Sequence, residues 1–140
     1  MTRDRGGAAA GFTLIETLVA IAILLTAVGS LSQLFGLAAA ANRRAVARTL
    51  GTIAARDKIE QLRSAPWAGL IASPVAALED DVDGYSDRVG GGAMPALVRR
   101  WSIAPLPADP SRLMVLQVLV LGAGGSPEAR IVTIRRKEGP

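Results

Sequence analysis

From Thr17 to Asn42 no charged residue occurs, and Ala, Leu, Ile and Val dominate. About 20 helical residues cross the hydrocarbon core of a bilayer, so this run predicts a membrane-spanning helix. One carboxylate, Glu16, stands at its head, and the next charge is Arg43. An ionisable group in such a run is expensive to bury and points to a partner. Beyond Asn42 the chain turns Ala-rich and charged without proline, and the helix is expected to continue to about Arg63. Val46, Leu50 and Ile53 fall on one side of it; Ala55, Ile59 and Leu62 fall on roughly the opposite side, with Gly51 between. A simple amphipathic helix keeps one stripe. Two offset stripes predict two packing partners: neighbouring helices nearer the membrane, and the chain's own sheet farther out.

Pro66 ends the helix, because the residue before a proline disfavours helical dihedrals. Residues 65–96 read as loop, with Pro74, Pro95 and Gly90-Gly91-Gly92, and two to four helical turns are expected around Val75 to Leu78. Three strand candidates follow: Leu97 to Ala104, Leu113 to Leu121 and Ile131 to Arg136. The middle one is nearly all apolar and is expected to be central and buried on both faces. The connections are rich in Pro or Gly, so the simplest sheet is an antiparallel meander. The predicted fold is therefore α+β: a long N-terminal helix packed on a small antiparallel sheet of three to four strands.

The chain has 140 residues, enough for one membrane helix and one small domain. It has no Cys and no His, which excludes disulfides and removes the usual zinc ligands and nucleophile pairs. Catalysis would have to rest on the acidic loop and Tyr85, which offer no base and nucleophile pair; no enzyme, cofactor or metal is expected. The formal net charge is +4, a mild basic bias compatible with solubility alone.

A short leader, Met1 to Gly11, carries Arg3, Asp4 and Arg5, then small residues, and is followed by Phe12-Thr13-Leu14-Ile15-Glu16. A conventional secretory signal is cut after its apolar region. Here the small residue Gly11 precedes it. The order resembles the type III signal of type IV prepilins and of type II secretion pseudopilins. The resemblance implies that a membrane peptidase and methyltransferase cuts between Gly11 and Phe12 and methylates Phe12. It also implies that Glu16 of one subunit meets the Phe12 amine of another. In hydrocarbon such a pair is far less screened than in water, so it would favour assembly and set the axial register. The alternative is a signal anchor whose glutamate snorkels to the headgroups.

The stretch Ala54 to Arg63 is similar to that of PilV-type minor pilins and GspI-type minor pseudopilins. These resemblances imply a filament subunit whose partners are the peptidase, other pilin or pseudopilin subunits and inner-membrane lipid. The expected layout is a leader at 1–11, a transmembrane helix at 12–41, its periplasmic half at 42–64 and a small pilin-like β domain at 65–140. Arg3 and Arg5 predict that the leader stays inside and the C-terminal domain lies in the periplasm; Arg43-Arg44 argue mildly the other way. The chain lacks the C-terminal disulfide of many major pilins. It also has no proline before Pro66, so any softening of the first helix falls to Gly29 and Gly36.

Three further clusters carry candidate chemistry. Glu79-Asp80-Asp81-Val82-Asp83-Gly84 opens like a calcium loop, but its twelfth position is Gly90 rather than Glu, so a solvated acidic loop is expected. Arg99, Arg100, Arg130, Arg135, Arg136 and Lys137 make a basic sheet edge and tail. They support a second reading, a competence-type pilin that carries DNA through Arg99, Arg100, Arg135, Arg136 and Lys137. No aromatic ladder accompanies them to stack on bases. Trp101 alternates with Arg100 and Ser102 and is expected in the core, with Trp67 stapling the helix end to the sheet.

Overall fold

A computed structural model describes residues 13–92 and 94–137. Gly11 and Phe12, the expected processing pair, lie outside the described residues. The first helix, α1, runs from Leu14 to Ser64. The chain divides into two compact units with the boundary between Asn42 and Arg43.

In the first unit the apolar side chains of α1 are exposed, Leu14, Leu24, Leu25 and Phe35 among them. The segment is long and apolar enough to cross a membrane. Its hydroxyls are satisfied within the helix. Thr26 Oγ1 donates to the Ala22 and Ile23 carbonyls, Ser30 to Thr26, and Ser32 to Val28, at 2.8–3.1 Å. A polar group with an internal partner can face lipid without an open hydrogen-bonding demand.

In the second unit the end of α1 covers one face of a four-stranded antiparallel sheet. Its strands are β1 (Ser86–Gly91), β2 (Met94–Pro105), β3 (Leu113–Leu121) and β4 (Pro127–Arg136). They lie in the order β1-β2-β3-β4, a meander with β2 and β3 inside. The core gathers Ala54, Ala55, Ile59 and Leu62 of α1 against Leu97, Trp101, Ile103, Leu116, Val118 and Val120. Leu116, Val118 and Val120 are fully buried, and each such side chain stabilises the fold by about 1.5–3 kcal/mol.

Of the two helix stripes, the outer one, Ala55, Ile59 and Leu62, is buried against the sheet as expected, extended by Gly51 and Ala54, while Val46 and Ile53 stay exposed and Leu50 is half-buried. Other sequence expectations change in this unit. Strand β3 is buried on one face only, because Val115, Gln117 and Leu119 remain half-exposed on the other. The reason is that α1 covers one side of the sheet, and an antiparallel sheet tolerates water on its second face. Residues 86–91 and 94–96, expected as loop, are strand. Around Val75 the chain makes one 3-10 turn, Val75–Leu78, rather than several helical turns.

Where β1 stops pairing with β2, at Ser86 opposite Arg100, the preceding loop takes over the edge. Ser73 N–H donates to the Ile103 carbonyl at 2.9 Å, and Ile103 N–H donates to Ser73 Oγ at 3.1 Å. Gly51 lets the helix approach β4 closely: a Cβ there would lie 2.8 Å from Glu128 Cβ.

Candidate functional site

Thr13 precedes the first helical residue and accepts a hydrogen bond on its hydroxyl from Glu16 N–H at 3.3 Å. Thr13-Leu14-Ile15-Glu16 thus has the spacing of a helix-capping box, in which the cap satisfies one of the free amides of the first turn. That signal stands in the sequence as Thr-x-x-Glu, and sequence reasoning missed it. Among the described residues no cation lies within salt-bridge distance of the Glu16 carboxylate. The carboxylate stands exposed in the first turn of α1, where the helix dipole favours a negative charge.

The sheet does not bring the five proposed DNA-contacting cations together. Arg99 is 8% exposed and faces α1. Its guanidinium donates twice to Asp87, directly opposite it on β1, through Nε and Nη2 at 2.7 Å each. It also donates through Nη1 to the Ala54 carbonyl at 3.3 Å. Lys58 completes this group: its Nζ lies 3.6 Å from Asp87 and 3.4 Å from the centre of the Trp101 ring. The Arg99 guanidinium holds the Asp87 carboxyl below its ordinary range. Burial lowers the Lys58 ammonium from its usual value despite the attraction of Asp87. Trp101 itself is core, as expected.

On the other face Arg100 binds Asp81 at 2.8 Å and also donates to the Glu79 carbonyl. Only Arg135, Arg136 and Lys137 of the proposed set remain near one another, at the end of β4. Arg135 reaches back to donate to the Leu62 carbonyl at 2.9 Å and sits 6.0 Å from the ring centre of Trp67. That contact ties the helix end to the sheet. Among the described residues no three acidic side chains converge as a metal site would require. The loop acids Glu79, Asp80, Asp81 and Asp83 are all exposed.

A family model described as the prokaryotic N-terminal methylation motif matches residues 7–32. The chain carries the N-terminal signal of type IV pilin-like proteins. The match covers the signal and the first part of α1, so it gives the class and leaves the subtype open. No curated protein and no solved structure matches the chain. For a pilin-like protein the motif implies processing by a prepilin peptidase and assembly with other pilin subunits. The helix on a four-stranded antiparallel sheet agrees with the expected fold. The family is structural, and the apolar helix is consistent with anchoring in the inner membrane.

Sequence reasoning missed the pairing of Asp87 with Arg99 and Lys58. Their separations along the chain carry no local signal. Register alone places Asp87 opposite Arg99.

Proposed function

We propose that this pilin-like chain is a minor pilin or a type II secretion pseudopilin. It is cut between Gly11 and Phe12, methylated on Phe12, and inserted in the inner membrane with its sheet domain in the periplasm. The observation that carries the reading is the methylation motif over a helix whose single membrane-zone charge is Glu16. After cleavage the Phe12 amine is a cation at a helix N-terminus, which the helix dipole disfavours. The Glu16 carboxylate of a staggered neighbour supplies its counter-charge. The exposed apolar side chains of α1 supply the lateral helix contacts, with Val46 and Ile53 extending them beyond the membrane.

Intact mass of membrane-extracted protein tests the processing: the chain should lack residues 1–11 and carry one added methyl. A full-length chain, or a cut beyond the apolar helix, refutes it. Glu16→Ala and Glu16→Gln should leave cleavage and insertion intact and prevent co-purification with sheared filaments. Breaking one partner of a desolvated ion pair typically costs about 3–5 kcal/mol. Equal incorporation of the Ala, Gln and native forms would mean Glu16 is a tolerated anchor residue and not an assembly switch.

A further inference from the structure

At the end of the sheet where α1 stops, a groove of about 750 Å³ is lined by Arg63, Arg112, Arg135, Arg136 and Lys137 above Ile134. These cations come from three places in the chain. The β3–β4 ladder sets Arg136 opposite Leu113, and Lys137 N–H donates to the Arg112 carbonyl at 2.7 Å. Arg63 arrives from the last turn of the helix. The negative end of the helix dipole eases this crowding of positive charge. Among the described residues one carboxylate is within salt-bridge distance of the five cations: Glu60, 3.3 Å from Arg63.

The same unit carries the opposite charge at its other sheet edge. Glu79, Asp80, Asp81 and Asp83 are exposed on the loop before edge strand β1, and Asp81 fastens that loop to Arg100. The basic groove lies by edge strand β4. Complementary patches on opposite edges of one chain suit a head-to-tail contact, the kind that builds open helical arrays. Guanidinium forks match carboxylates in geometry as well as charge, and four of the five cations are arginines.

We propose that the basic groove takes the acidic loop, residues 79–83, of a second copy of this chain. The contact rests on the subunit role proposed above, yet uses neither Phe12 nor Glu16.

The test uses two differently tagged full-length copies co-expressed in bacterial membranes and extracted in mild detergent at low salt. Native copies should co-purify, and about 0.5 M salt should weaken this roughly tenfold, since exposed charges are screened. Arg112→Glu with Arg136→Glu in both copies should reduce recovery at least tenfold; so should Asp80→Arg with Asp83→Arg in both. All four sites are exposed, and unchanged protease resistance checks that each variant folds.

The deciding arm mixes the two variants. A groove-reversed copy keeps a native loop and a loop-reversed copy keeps a native groove, so the mixture should regain co-purification. Failure of the mixture to recover, or indifference to both reversals, overturns the contact. A fluorescent DNA duplex retained by the native groove while copies never associate also overturns it, in favour of a polyanion site. Intact mass is read on the same samples. Lost association with correct processing defeats only this contact, whereas absent processing defeats the subunit role itself.

Discussion

Asp87→Asn should be among the most damaging single substitutions in the sheet domain. Arg99 is 8% exposed, and two of its three hydrogen bonds go to Asp87. Asparagine keeps the shape but removes the charge, leaving a guanidinium against the helix without a counter-ion. Lys58, already short of hydration, loses the same carboxylate at 3.6 Å. Stranding one partner of a buried pair costs about 3–5 kcal/mol, against a total stability of about 5–15 kcal/mol for an ordinary domain. Arg99→Met should cost less, because it removes the buried charge and leaves Asp87, which is one-third exposed, to water and Lys58.

The double variant Asp87→Leu/Arg99→Met should recover much of the loss, since an apolar pair of similar volume often replaces a buried ion pair without penalty. Urea unfolding of the full chain in detergent, followed by the fluorescence of Trp67 and Trp101, measures all three. If Asp87→Asn lies within about 0.5 kcal/mol of native, as surface substitutions do, the pair is solvated and the reasoning fails.

Acid should act through the same group. Asp87 titrates below its ordinary 3.8 in the folded chain, so its stabilisation is complete above that value and is lost as pH falls through the folded pKa. Asp87→Asn should flatten that part of the stability profile, and an unchanged acid limb would contradict the assignment. Lys58 acts with the same sign at the alkaline end. Its folded pKa lies below 10.5, so stability should rise as pH climbs from that folded value toward 10.5, and Lys58→Met should remove the rise. Gly51→Val should lower stability by about 1–3 kcal/mol through overpacking against Glu128; a midpoint at or above native would show that β4 yields freely. Thr13→Ala should remove the helix cap at a cost of about 1 kcal/mol, read as roughly fivefold faster hydrogen exchange at the Glu16 amide. Exchange at the native rate would mean the cap is idle.

The features that sequence reasoning reached are local ones. An uncharged run from Thr17 to Asn42 with Glu16 at its head needs no distant contact to be recognised, because lipid rewards apolar side chains one residue at a time. The helix stop before Pro66 follows from backbone sterics, and alternation along Leu97 to Ala104 already places Trp101 and Ile103 on the inner face. Strand β1 was hidden because Ser86-Asp87-Arg88-Val89-Gly90-Gly91 has little intrinsic strand character. It becomes a strand by pairing with β2, with Gly90 taking a positive φ of 81° where the pairing shifts register.

Tertiary structure alone decided the fate of the arginines. Their charge is plain in the sequence, but the register of β2 against β1 commits Arg99 to Asp87. The meeting of β3, β4 and the helix end collects Arg63, Arg112 and Arg135 to Lys137 into one groove. Ion pairs and grooves depend on where distant segments meet, and that is fixed by packing of the whole core rather than by any stretch of the chain.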